Sequence, residues 1–277
     1  MSNPIKVNVV SYGGVKPGQL IVGNGADGTK TTLFDAATAT NGSNMFYQYT
    51  TLPSWSIDLP NLTTGTSMFN GCSSLTSFAG DLTALTNGDF MFYGCSSLTS
   101  WSVELPNLTT GSYMFHYCTG LGSWNANLPN LKTGDRMFLG CSHLTSWNTN
   151  LPKLEDSSFM FMHCSSLTSF SADLSALKTS TYMFNACSSL TSFAGDLTAL
   201  TNGDYMFIGC NLDASSVLRI LTTIPDRAAA GLAAANLHMG KSTNYKDDAD
   251  VAAILGTVTP IAAGTYSCKG WTITVTD

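Results

Sequence analysis

Seven cysteines recur at one interval: Cys72, Cys95, Cys118, Cys141, Cys164, Cys187 and Cys210 each stand 23 residues from the next. Thiols in register invite two chemistries, metal ligation and disulfide formation. A straight column suits neither. A tetrahedral ion needs ligands converging from different directions. Parallel Cβ vectors about 4.8 Å apart give the wrong torsion for a disulfide. The column reads as buried free thiols packing as small apolar groups, with Cys268 outside it and without an evident mate.

A second column carries charge. Asp58, Asp81, Glu104, Asn127, Asn150, Asp173 and Asp196 keep the same interval, with Asp35 aligned one unit earlier. Carboxylates stacked about 4.8 Å apart repel one another and attract cations or hydrogen-bond donors. Three readings follow: a solvated polar edge that blocks pairing with other sheets, a contact for a protein or a glycan, or bound Ca²⁺. The sequence has no Asp-x-Asp-x-Asp-Gly calcium loop. Neighbouring acids at this spacing also suit a glycan-cleaving carboxylate pair. In the middle units Asn125, Asn127, Asn148 and Asn150 replace Ser, Ala and acids, with His116, Arg136, His143 and His163 nearby in sequence. Amides donate and accept, which suits sugar hydroxyls or a peptide backbone; drift in a tolerant region accounts for the same pattern.

Signatures of catalysis are sparse. There is no Gly-x-Ser-x-Gly, His-Glu-x-x-His or Cys-x-x-Cys. The run from Gly23 to Thr31 superficially evokes a phosphate loop, but an extra Thr separates Gly28 from Lys30 and a strand follows, so it reads as a hairpin turn. The expectation is a protein that is not an enzyme and uses no cofactor.

What positions these columns is a repeat. Eight Met-Phe pairs, beginning at Met45, Met68, Met91, Met114, Met137, Met160, Met183 and Met206, share the 23-residue period. A unit this short cannot bury a core alone and must stack on its neighbours. Each unit runs Cys-x-x-Leu-x-x-(Trp/Phe)-x-x-x-Leu-x-x-Leu, then a turn, then Met-Phe. In Trp101, Val103 and Leu105 the apolar residues alternate as in a half-buried strand. This predicts a mainly β solenoid with short helical caps and one short parallel strand per coil. Two cassettes alternate: Trp55, Trp101, Trp124 and Trp147 each precede Leu-Pro-(Asn/Lys)-Leu, whereas Phe78, Phe170 and Phe193 precede Leu-(Thr/Ser)-Ala-Leu. Compensation of the larger indole by a different strand exit is the expected cause. Residues 72–91 and 187–206 are identical except at Phe90 and Tyr205, which points to growth by copying.

Three segments are expected: an N-terminal β cap or attachment segment at 1–34, the solenoid at 35–210 and an α/β cap at 211–277. In the last, Asp213–Thr223 and Asp247–Leu255 read as helices and Asn236–Met239 and Trp271–Val275 as strands. Only 11% of the 277 residues are charged, and the net charge is −6. Nucleic acid is an unsuitable partner for such a chain. Scattered basic residues and the lack of a run of about 20 apolar residues predict no membrane partner either. No classical signal peptide is evident at the N-terminus, so synthesis in a cytosol is expected.

The run Leu108-Thr-Thr-Gly-Ser-Tyr-Met-Phe-His-Tyr-Cys118, and Met-Phe-x-Gly-Cys-Ser-Ser-Leu-Thr-Ser generally, resembles the BspA-like leucine-rich repeat over roughly residues 35–210. Members of that family are chiefly bacterial and protist surface proteins implicated in adhesion, and similar repeats occur in phage-encoded proteins. The resemblance implies a non-catalytic structural or recognition protein that meets a protein or glycan surface or neighbouring virion proteins. With no signal peptide, a virion surface is the expected setting, and a cell-surface adhesin is the alternative.

Overall fold

The computed structural model describes residues 6–7, 19–24, 30–231, 233–241 and 244–276. It opens with three antiparallel strands, β1 (Lys6–Val7), β2 (Gln19–Asn24) and β3 (Lys30–Asp35). The β2–β3 register ends at Asn24 opposite Lys30, as a hairpin requires; the turn itself, at 25–29, lies outside the described residues.

From Ala36 the chain winds into coils. Each places a two-residue strand at the same register: β4 (Ser54–Trp55), β5 (Ser77–Phe78), β6 (Ser100–Trp101), β7 (Ser123–Trp124), β8 (Ser146–Trp147), β9 (Ser169–Phe170) and β10 (Ser192–Phe193). β4 pairs with β5, β6 with β7, and β8 and β10 with β9, all in parallel, Ser opposite Ser and ring opposite ring. The strand is shorter than the sequence alternation predicts. Trp101 and Leu105 are buried and Val103 is half-buried, so the inward–outward pattern persists, but ladder pairing stops at the ring. In Trp coils the indole Nε1 donates to the carbonyl two residues on, as from Trp101 to Val103 O at 2.8 Å, so that carbonyl is spoken for.

A second parallel ladder, not foreseen from the sequence, closes the opposite side of each coil. It links Asn41, Thr64, Asn87, Thr110, Thr133, Asp156, Thr179 and Asn202 in turn. Next to it the Gly column gives way to the Met of the following coil. A Cβ on Gly88 would stand 2.9 Å from Met114 Sδ. Where Ser157 and Ser180 replace Gly, their hydroxyls donate to Met183 Sδ and Met206 Sδ at 3.1 and 3.2 Å.

The core is two interleaved ring columns. The Met-Phe phenylalanines stack on themselves, for example Phe92 on Phe115 at 5.3 Å, and meet the strand rings edge-on, Phe92 against Trp101 at 4.9 Å. Such offset and T-shaped contacts are the favoured geometries for ring quadrupoles. Beyond Cys210 come α1 (Ala214–Thr223), capped by Asp213, then β11 (Ala235–Lys241), α2 (Ala249–Leu255), β12 (Gly264–Cys268) and β13 (Trp271–Thr276). The last sheet has the order β11–β13–β12; β12 carried no clear signal in the sequence.

Candidate ligand-binding surface

The seven column thiols are free and fully buried. Each Sγ–H points at the carbonyl of the Met-Phe phenylalanine one coil back, as Cys141 does to Phe115 O at 3.2 Å. Burial pushes the Cys72 thiol up to about 12 and the rest of the column further in the same direction. A thiol that resists ionisation is neither nucleophile nor metal ligand. These are packing groups that also satisfy a buried carbonyl.

The charged column lies just past the strands, on the turn that leaves them, and its side chains bond backbone. Two patterns alternate with the cassettes. In Phe coils the carboxylate accepts the N–H two residues on: Asp81 from Thr83 at 2.8 Å, Asp173 from Ser175 at 2.9 Å and Asp196 from Thr198 at 2.9 Å. In Trp coils that residue is Pro60, Pro106, Pro129 or Pro152, which has no N–H to give. The side chain then reaches across to the next coil instead. Asp58 accepts from Asp81 N at 3.0 Å, Glu104 from Asn127 N at 3.0 Å and Asn150 from Asp173 N at 2.9 Å. Hydrogen bonds from Ser175 hold the Asp173 carboxyl below its ordinary value. The cassette rule is therefore a rule about backbone donors as well as ring size.

Beside this column run three open hollows that share members. One is lined by Asp58, Asp81 and Glu104; the next by Glu104, Asn127 and Asn150 with Pro106, Pro129 and Pro152; the third by Asn150, Asp173 and Asp196 with Arg219. The structure thus sets all seven predicted column residues along a row of three hollows parallel to the solenoid axis. Asn125 and Asn148, like Asn127 and Asn150, are exposed. Asn127 Nδ2 is partly engaged, donating to Glu104 Oε2 at 3.1 Å. The histidines and Arg136 do not join the asparagines. His116, Arg136 and His163 sit on the Met-Phe turn, and His143 follows the Cys, its Nδ1 donating to Thr119 O at 2.6 Å. Among the described residues no group of His, Cys, Asp and Glu side chains is arranged to hold a metal ion.

A third surface column was missed. The residue before each Met-Phe pair has positive φ, 57° at Phe90, 59° at Tyr113, 55° at Arg136 and 59° at Phe159, Tyr182 and Tyr205. Bulky side chains rarely accept this conformation. Here they stack: Phe90 on Tyr113 at 4.6 Å, Phe159 on Tyr182 at 5.0 Å, Tyr182 on Tyr205 at 4.6 Å and Tyr205 on His238 at 4.3 Å. The Arg136 guanidinium fills the gap, 5.3 Å from the Tyr113 ring and 4.1 Å from Phe159, while pairing with Asp135 at 2.6 Å. Within this stack the facing rings cover one another, with Arg136 between Tyr113 and Phe159. The sequence held a signal, since Phe90 and Tyr205 are the sole difference between two copied units.

Stacked parallel ladders, a recurring buried Leu frame and a 23-residue coil define a leucine-rich-repeat solenoid. The family model described as the BspA type leucine rich repeat region matches residues 39–160 and 132–234, with six copies, and the chain belongs to that family. A crystal structure of a leucine-rich repeat protein from Bacteroides ovatus is similar at 15% identity, covering 90% of this chain and 96% of that one, with a TM-score of 0.26. No curated protein matches.

Proposed function

We propose that this solenoid is a non-catalytic recognition module that holds an extended protein or glycan chain along the groove beside Asp58, Asp81, Glu104, Asn127, Asn150, Asp173 and Asp196. The observation that carries the reading is the alignment of three hollows beside one polar column, successive hollows sharing Glu104 and Asn150. A linear ligand lying along it would meet the same polar group at every coil, about 4.8 Å apart, and amides and carboxylates there offer both donors and acceptors. The bonds that tie Asp81 and Glu104 to backbone N–H groups favour recognition over general acid–base work. Leucine-rich repeats of this type mediate binding, and a virion surface is the proposed setting.

Changing Asn125, Asn127, Asn148 and Asn150 together to Ala should weaken binding of the purified chain to host cells or to long immobilised glycan chains about tenfold or more, with only the small loss of thermal stability expected from the Asn150–Asp173 N bond. Unchanged binding would remove the groove from consideration. Polysaccharide turnover lost on Asp81→Ala or Glu104→Ala would replace the reading with an enzymatic one. Co-sedimentation with virions tests the setting; labelling on intact bacterial or protist cells would move it to the cell surface.

A further inference from the structure

We propose that Tyr117 and the His116 imidazole beneath it form a second binding site, one that takes a pyranose unit of a glycan. Tyr117 occupies a position where Gly71, Gly94, Gly140 and Gly209 stand in other coils, and it keeps their left-handed backbone at φ 57°. Bulky L side chains rarely adopt that conformation. The Cδ1–Cε1 edge of the ring abuts the neighbouring coil, where a Cβ on Gly140 would be 2.6 Å from Tyr117 Cδ1 and 3.0 Å from Cε1. The side chain remains 50% exposed. Unlike the Phe90–His238 stack, this ring has a face free of a parallel partner: its neighbours His116 and Tyr93 approach tilted or edge-on, at 4.2 and 6.2 Å.

Under it the structure leaves a polar debt. His116 is 7% exposed, and neither ring nitrogen has a hydrogen-bond partner. Its surroundings are the rings of Tyr93, Tyr113 and Tyr117. Burial, with Arg136 adding to it, lowers its pKa to about 4, so at neutral pH one nitrogen donates and the other accepts. In other coils the equivalent position holds residues as varied as Tyr93, Leu139, Asn185 and Ile208, so the fold does not require an imidazole there.

Tyr117 replaces the glycine commonest in its column, His116 is a buried imidazole without a partner, and the two rings touch. A flat ring face attracts the C–H face of a pyranose through its quadrupole, and a sugar hydroxyl supplies the partner that the imidazole lacks once Tyr117 shifts. The site is independent of the groove, because it stands on the Met-Phe turn rather than past the strands.

Calorimetry would titrate the full chain with hexasaccharides of β-1,4-glucose, α-1,4-glucose, β-1,3-glucose, β-1,4-xylose and β-1,4-N-acetylglucosamine. At least one should bind. Tyr117→Gly and His116→Phe should each weaken it about tenfold or more, while leaving the unfolding temperature at or above that of the wild type. Tyr117→Phe should retain binding, and so should the four-asparagine variant, which separates this site from the groove. Three results would overturn the proposal: no hexasaccharide bound by wild type, binding unchanged in Tyr117→Gly, or a clear drop in unfolding temperature in both variants, which would make these residues packing groups.

Discussion

At the scale of single residues the molecule is governed by where each polar group finds a partner. His116 has none, and this has a consequence for pH. Its folded pKa is about 4 against an ordinary 6.5, so between those values the unfolded chain takes up a proton that the folded chain refuses. The contribution of neutral His116 is complete above about pH 6.5 and falls away as pH drops toward 4, by about 1.4 kcal/mol per pH unit at most. Asp89 and Asp135 act oppositely. Burial raises their pKa, so the folded state takes up their protons first and gains stability as pH falls through those raised values toward the ordinary carboxylate range. Wild type should therefore lose several degrees more between pH 7 and pH 5 than His116→Phe; equal losses would show that the imidazole is solvated. The column thiols make a second residue-scale case. With 0% exposure and raised pKa values, Cys72 to Cys210 should be unreactive toward a disulfide reagent in native buffer and react only at the rate of coil opening. Fast labelling of more than one thiol in folded protein would contradict this packing.

At the scale of one coil, the two cassettes show how sequence choices are coupled. An indole brings an N–H that must be satisfied inside, and Trp55, Trp101, Trp124 and Trp147 all satisfy it on the carbonyl two residues later, at 2.7 to 2.9 Å. Proline then removes the local donor, and the column side chain turns to the adjacent coil; three of the four Trp coils show that cross-coil bond. The third cassette residue follows suit, with Asn61, Asn107 and Asn130 donating to carbonyls one coil back at 2.6 to 2.8 Å. Trp coils are thus stitched to their neighbours by side chains, while Phe coils close their own turns. Trp101→Phe removes the donor to Val103 O and leaves space in a packed ring column, so it should cost about 2 kcal/mol. Ser102→Ala, at an exposed position next to it, should stay within about 0.5 kcal/mol. Chemical denaturation of the two variants compares them directly, and equal midpoints would refute the role given to the indole. None of this bonding was readable beforehand. The alternation of Trp101, Val103 and Leu105 shows which way side chains face, but where a backbone ladder stops depends on donors and acceptors that composition does not display.

Across the whole molecule, the 23-residue period made the solenoid legible because every coil must repeat the contacts of the last, and the Leu, Cys and Met-Phe columns are those contacts. The polar column was legible for the same reason. The ring stack from Phe90 to His238 was not, because it rests on a left-handed backbone that no residue type announces when the position is filled by Phe, Tyr or Arg. Nor was the way the array ends. A solenoid's last coil has open donors and a bare apolar face, and the C-terminal cap answers both ladders at once. On the strand side α1 replaces the missing coil: Ser216 Oγ accepts the Phe193 N–H at 2.8 Å and donates to Thr191 O at 3.3 Å. On the other side β11 continues the second ladder from Gly203 to Leu237, takes the Phe207 N–H on His238 O at 3.1 Å and extends the ring stack with the His238 imidazole. In a one-dimensional array, stability is a sum of coil and interface terms, so a defect at the end should fray the end first. Ser216→Ala leaves the Phe193 N–H buried and unpaired, a cost of about 1–3 kcal/mol. Hydrogen exchange should accordingly quicken in residues 187–210 and fade toward wild-type rates by residues 72–118. Uniform acceleration along the array would mean instead that the coils open together, with the cap as one part of a single cooperative unit.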